Sequence, residues 1–152
     1  MPATPLTRSH GFHLAAPRAR VIRLFTAEGE RAWAPGWNPE MLAGCEERGS
    51  AFRTRSERGV ETVWVVADWR PEEGRASYAR VALGSNIGLV DVACTDSADG
   101  GTEVSVRYTL TGLDEAGRAF VQAFLEPGNY AAMIEEWREL TARALSLIAT
   151  HS

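Results

Sequence analysis

Between Ala51 and Thr111 apolar and polar residues alternate with a period of two. The pattern is cleanest at the end of this region, where Val104, Val106, Tyr108 and Leu110 fall on one side and Glu103, Ser105, Arg107 and Thr109 on the other. That period predicts strands with one covered and one wet face. Strands are expected over Ala51–Glu57, Val60–Arg70, Arg75–Leu83, Ile87–Thr95 and Thr102–Thr111, with a shorter one near Cys45. Turn sequences separate them: ERG at Glu57, RPEEG at Arg70, GSN at Gly84 and SADGG at Ser97. Connections this short predict an antiparallel meander. A further strand is expected over Arg8–Leu14, with Phe12 and Leu14 on one face.

The pattern changes to a helical period on either side of the meander. In PRARVIRLFT, Pro17 sits where helices start, and Val21, Leu24 and Phe25 share a face opposite arginines. GERAWAPGW holds one or two more helical turns before Pro35. At the far end DEAGRAFVQAF predicts a helix, Pro127-Gly128 interrupts it, and a long amphipathic helix of about five turns follows from Asn129. Its apolar face reads Tyr130, Met133, Ile134, Trp137, Leu140, Ala144 and Leu147, against Glu135, Glu136, Arg138, Glu139 and Arg143. The fold class is α+β, a curved antiparallel sheet of about seven strands wrapped around a long C-terminal helix, with two short helices after the first strand.

Composition sets bounds on this picture. The 152 residues fit a single domain over 1–152, with loose tails at 1–5 and 150–152. The formal net charge is -4, which speaks against nucleic acid or an anionic membrane as a partner. All 16 basic residues are arginines, so lysine Schiff-base chemistry and a P-loop are excluded. Cys45 and Cys94 lie far apart with no signal peptide ahead of them, and two free thiols in a reducing cytoplasm are expected. No apolar run approaches the roughly 18 to 20 residues of a membrane helix.

One stretch stands out, WAPGWNPE at Trp33–Glu40, which sets two of the five tryptophans among helix breakers. Pro35 and Gly36 end the helical turn and Asn38-Pro39 redirects the chain, so both rings can face inward from an irregular segment. Together with FHLAAP at Phe12–Pro17, LFTAEGERAWAPGWNPE at Leu24–Glu40 and YAAMIEEW at Tyr130–Trp137, it resembles the SRPBCC, START and Bet v 1-like superfamily. Within that superfamily the chain is similar to the bacterial polyketide cyclase-like and chaperone-ATPase-activator-like (AHSA1-like) proteins. The resemblance spans nearly the whole chain and implies a helix-grip fold, with a deep, mainly apolar cavity between sheet and helix.

Candidate ligand-binding residues are Trp33, Trp37, Trp64, Tyr78, Tyr108, Tyr130, Met133 and Trp137. They either fill a core or wall a pocket, and in a helix-grip fold these are the same surface. Tyr78 and Arg80 share a face of one strand, but whether it points inward stays open, because Ala79, Val81 and Leu83 make the other face apolar too. Turned inward, they would offer a phenol and a cation to a ligand carbonyl. His13 is the third candidate for chemistry. His10 and His13 have HxxH spacing, yet residues three apart on a strand point to opposite faces, so no metal is expected. His151 falls in the tail. Glu46-Glu47, Glu72-Glu73 and Glu135-Glu136 read as solvated pairs, and no GxSxG elbow is present. Asp91 and Arg107 read as exposed cross-strand charges.

Three functions follow as expectations. The first is binding of a small hydrophobic or aromatic molecule, a lipid, polyketide or phenolic metabolite, with no cofactor. The second is a cyclase or dehydratase acting on such a ligand through Tyr78, Arg80 or His13. The third is a protein-interaction domain of the AHSA1-like kind. A homodimer through a sheet edge or helix face is compatible with all three.

Overall fold

The computed structural model describes residues 4–56 and 58–150. Seven strands form one antiparallel sheet in the order β1-β7-β6-β5-β4-β3-β2. They are β1 (Leu6–Leu14), β2 (Glu40–Ala43), β3 (Ala51–Arg55), β4 (Glu61–Arg70), β5 (Arg75–Ala82), β6 (Asn86–Asp96) and β7 (Thr102–Gly112). From β2 to β7 each strand pairs with the next in sequence, as the turns between them require, and β1 closes onto β7. The expected sheet and long helix are both present.

Between β1 and β2 lie a one-turn helix α1 (Arg18–Val21) and two 3-10 turns, Ile22–Phe25 and Gly29–Ala32. Val21, Ile22, Leu24 and Phe25 are buried, which fixes this segment against the sheet. After β7 come α2 (Glu115–Phe124) and α3 (Pro127–Thr150). Asp114 caps α2, its side chain accepting from Gly117 N–H at 2.7 Å.

Two details of the C-terminal region differ from the sequence reading. The break between the two helices falls at Leu125-Glu126, and Pro127 already opens α3, two residues before the expected start at Asn129, because proline suits the first helical position, where its missing N–H costs nothing. The Glu126 carboxylate accepts from the N–H groups of Gly128 at 2.7 Å and Asn129 at 3.0 Å, so the proline and the acid together start the helix. Near the C-terminal end, Leu145 is buried and Leu147 is 57% exposed, the reverse of the expected apolar stripe. Residues 1–3, Glu57, His151 and Ser152, and with them most of the two expected loose tails, lie outside the described residues.

The core lies between the sheet's inner face and α3. Phe12, Val66, Val90, Val92, Val104, Val106, Leu110, Tyr130 and Ile134 are all buried in it. The outer face is wet, with Arg107 and Asp91 paired across β6 and β7 at 3.4 Å. Ser77 adds a hydrogen bond to Asp91 at 2.7 Å. Cys94 is buried and Cys45 exposed, both as free thiols. Among the described residues no helix is long and apolar enough to cross a membrane.

Candidate functional site

The segment from Thr26 to Pro39 is irregular, yet it is fixed at nearly every step. The Thr26 hydroxyl accepts from Gly29 N–H at 2.9 Å and donates to the Arg23 carbonyl at 3.2 Å. A side chain at position 29 would collide with that same carbonyl, so glycine is required there. The tight turn delivers Glu30, and the spacing then carries Trp33 and Ala34 to the same side. Ala34 O accepts from Trp37 N–H at 3.2 Å across Pro35 and Gly36, whose φ is 70°. Proline followed by a left-handed glycine is the arrangement of a type II turn. Arg31 then ties the turn down, donating to Glu28 Oε2 and Asn38 Oδ1, each at 2.9 Å.

Each indole of this segment is anchored through its N–H. Trp33 donates to the Leu24 carbonyl at 2.7 Å, and Trp37 to the Ala27 carbonyl at 2.8 Å. The rings meet others from the sheet and α3. Trp33 and Trp137 lie 5.2 Å apart at 64°, and Trp37 and Trp64 5.7 Å apart at 73°. Rings set edge to face make corners instead of a continuous stack, and here they leave space between them. The result is a cavity of about 190 Å³, walled chiefly by Trp33, Trp37, Phe52, Trp64, Tyr108 and Trp137, with Glu30 and Tyr78 also on its lining.

Trp37 and Pro35 also border a wider, more open hollow of about 640 Å³ that includes Arg80 and Phe120. The enclosed cavity is smaller than the deep pocket expected from the sequence, because four tryptophans occupy much of the space between sheet and helix.

The strand register resolves the facing of β5. Ala76, Tyr78 and Ala82 are buried, so their face is the inner one and Arg80 shares it. Trp64 pairs with Arg80 on one side and Phe52 on the other. The guanidinium carbon lies 5.2 Å from the Trp64 ring centre, within cation–π range. Arg80 Nε is buried without a hydrogen-bond partner, and burial lowers the guanidinium pKa.

Three groups on the cavity lining are also electrostatically perturbed. Glu30 retains some accessible surface, and it borders the cavity. Protein atoms nonetheless crowd its carboxyl, and burial pushes it from the ordinary 4.5 up to about 8. Tyr108 is pushed up to about 12 by burial, with Arg80 opposing and Glu30 adding to the shift. Burial also raises Tyr78, helped by Glu30 and Glu46. The hydroxyl of Tyr78 is committed, since it donates to the Phe25 carbonyl at 2.6 Å.

Of the residues singled out from sequence, Trp33, Trp37, Trp64, Tyr78, Tyr108 and Trp137 line the cavity. Tyr130 and Met133 do not. Tyr130 is 1% exposed, and its hydroxyl is used by the Val106 carbonyl at 2.7 Å, so it is a core plug. Met133 packs half-buried against the core. His13 is also absent from the site, because on β1 it faces away from Phe12 and Leu14 and meets Asp99 at 3.0 Å. His10, on the other face, meets Glu135 of α3 at 3.1 Å. Among the described residues no group of three or more histidines, cysteines or carboxylates could hold a metal.

Glu30 was missed by the sequence reading, although its spacing of three from Trp33 and four from Ala34 is a signal that it shares their side.

The family model for polyketide cyclase / dehydrase and lipid transport proteins matches residues 7–145. The chain belongs to this family. Its fold is that of the Bet v 1-like superfamily. The structure of Ara h 8.0201 superposes with a TM-score of 0.70 at 12% identity, over 93% of this chain and 99% of that one. Norcoclaurine synthase from Thalictrum flavum gives 0.65 at 13% identity, over 91% and 88% of the two chains. The protein TTHA0849 from Thermus thermophilus gives 0.66 at 16%, over 93% and 99%. At these identities the likeness is one of fold alone. No curated protein matches this family member by sequence.

Proposed function

We propose that this family member binds a small aromatic or apolar molecule in the cavity between Trp33, Trp64 and Trp137. One observation carries the reading: about 190 Å³ stays unfilled between rings that are otherwise packed edge to face. Protein interiors pack at crystal-like density, and a void of this size left empty costs stability. A space of about 150 Å³ lined by apolar side chains is known to accept benzene, so a one-ring ligand fits this one. A larger molecule would extend past Trp37 and Pro35 into the neighbouring hollow. The test is a titration with hydrophobic fluorophores followed by tryptophan emission and thermal unfolding. Saturable quenching with a rise in Tm is expected; neither response with any probe would count against a binding cavity.

A second reading, cyclase- or dehydratase-type chemistry on the bound ligand, draws its support from Glu30. A carboxyl that titrates near pH 8 inside an apolar cavity can give up or take a proton at neutral pH. Of the sequence candidates, Tyr78 has its proton engaged by Phe25 and His13 lies elsewhere, which leaves Arg80 as a charge neighbour. If the cavity catalyses proton transfer, Glu30→Gln abolishes turnover while ligand binding persists. Unchanged turnover in that variant would remove Glu30 from any mechanism.

A further inference from the structure

The wider hollow beyond Trp37 differs in kind from the aromatic cavity beside it. It lies where the β3–β4 and β5–β6 turns meet α2, and no residue of α3 lines it. Its lining carries three arginines, Arg55, Arg58 and Arg80, and among the described residues no aspartate or glutamate. In a chain with a net charge of -4, a wholly positive lining calls for a reason. Contacts within the protein do not give one, because among the described residues the three guanidinium groups have neither a hydrogen bond nor an ion pair.

Arg80 is the most demanding of the three. It projects from the inner face of β5, its Nε is buried without a partner, and its guanidinium carbon lies 5.2 Å from the centre of the Trp64 ring. Burying an unpaired charge is costly, and a guanidinium carries five N–H donors in want of acceptors. The half-buried Arg53 on the outer face shows how the protein settles such a group elsewhere, with Glu40 at 2.9 Å and Glu61 at 3.3 Å. Arg80 has no such carboxylate. Asn86 Oδ1 is the other buried atom on this lining without a partner. Turning that amide over lets the Ser85 hydroxyl, 2.9 Å from Nδ2, donate to the oxygen, and adds an NH2 group to the donors.

Around these charges the hollow is apolar. Val60, Leu83 and Phe120 stand exposed on it, and Trp37 and Pro35 belong to both hollows. Trp64 lines the aromatic cavity and carries Arg80 over its ring, so the cations begin where the aromatic wall ends. We propose that this hollow binds the oxyanion end, carboxylate or phosphate, of an amphipathic small molecule whose ring or chain occupies the aromatic cavity. The apolar end rests on the binding reading above, whereas the anion subsite has residues and chemistry of its own. Arg80 supplies the fixed, desolvated contact, since a guanidinium presents its N–H groups in pairs that match an oxyanion. Arg55 ends β3 and Arg58 lies in the turn after it, both exposed, so they add attraction in water instead of fixed contacts.

Three probes test the proposal on the full chain: 4-phenylbutyrate, its neutral isostere 4-phenylbutyramide, and inorganic phosphate. Each titration is followed by tryptophan emission and by the Arg80 Nε–H signal in NMR spectra. The carboxylate is expected to bind at least about tenfold more tightly than the amide, the ratio that one hydrogen bond to a charged group supplies. Arg80→Gln should bring the two within about threefold, and Arg80→Lys, which keeps the charge, should restore part of the difference. Should the buried substitution unfold the chain, the double variant Arg55→Gln, Arg58→Gln tests the same preference at exposed positions, where it should fall about threefold. Phosphate has no apolar end and should bind at least about tenfold more weakly than the carboxylate. Phosphate binding as tight as that of the carboxylate makes this a site for a free inorganic anion and overturns the amphipathic ligand. Equal affinity for carboxylate and amide overturns the anion subsite while the binding reading stands, and so does an undiminished ratio in folded Arg80→Gln or in the double variant. Binding of neither phenyl probe overturns both.

Discussion

Tyr108 and Tyr130 face each other with ring centres 5.9 Å apart, and they stand in two different kinds of interior. Around Tyr130 the space is filled: the ring is 1% exposed, the hydroxyl is paired with Val106, and Ile134 and Leu110 share the same buried core. On the other side of Tyr108 the rings draw apart into the cavity, which the Tyr108 ring helps to line. Both regions are rich in aromatic residues, so aromatic content does not separate core from pocket. Whether the space between the rings is filled does. Rings packed without a gap make a finished core, and rings set edge to face around an unfilled space make the wall of a cavity.

Substitutions on the two sides should therefore part company. Tyr130→Ala is expected to have the largest effect, about 3–5 kcal/mol in chemical unfolding, because a filled region cannot collapse around the hole. Trp37→Ala, half-buried at the boundary of the two hollows, should cost about half as much stability, yet lower ligand affinity at least about tenfold. A loss as large as that of Tyr130→Ala would make Trp37 a plug and erase the distinction.

Glu30 sharpens the comparison through pH. Its folded pKa of about 8 stands above the ordinary 4.5, so the folded state holds a proton that the unfolded state gives up between those values. Stability should accordingly fall as pH rises from about 4.5 to about 8, by up to about 1.4 kcal/mol per pH unit. Below this window the contribution is constant, and above it the full penalty of the buried carboxylate is present. Glu30→Gln should flatten the profile in urea unfolding measured across that range. A wild-type profile no steeper than that of the variant would contradict a desolvated carboxyl. The smallest effect is expected on the outer face, where the exposed Arg107 pairs with Asp91. Arg107→Ala should change stability by less than about 1 kcal/mol, the usual worth of such a pair.

The fold was legible because its elements are long and strictly periodic. β7 alternates without exception from Val104 to Leu110, and the tight turns around Gly84 and Gly100 pair β5 with β6 and β6 with β7. The site was legible in part. Trp64 and Tyr108 could be placed by strand parity, but β5 carries small apolar residues on both faces, and only its register with Trp64 and Val90 decides for Tyr78 and Arg80. Helical spacing put Tyr130 and Met133 on the correct side of α3 without telling how far along the helix the cavity extends. Glu30 sits in a non-repetitive turn whose geometry depends on Thr26 and Gly29, and no periodic pattern runs through it.

That the hollow beside Tyr108 is a ligand site is the claim on which the rest depends, and the five tryptophans report on it directly. Trp33, Trp37, Trp64 and Trp137 line the cavity, whereas Trp69, packed elsewhere against the core, does not. With the indole N–H resonances assigned, titration with a small aromatic ketone should move the first four together along one saturating isotherm and leave Trp69 in place. A shift confined to Trp69, or a uniform drift of all five without saturation, would contradict it.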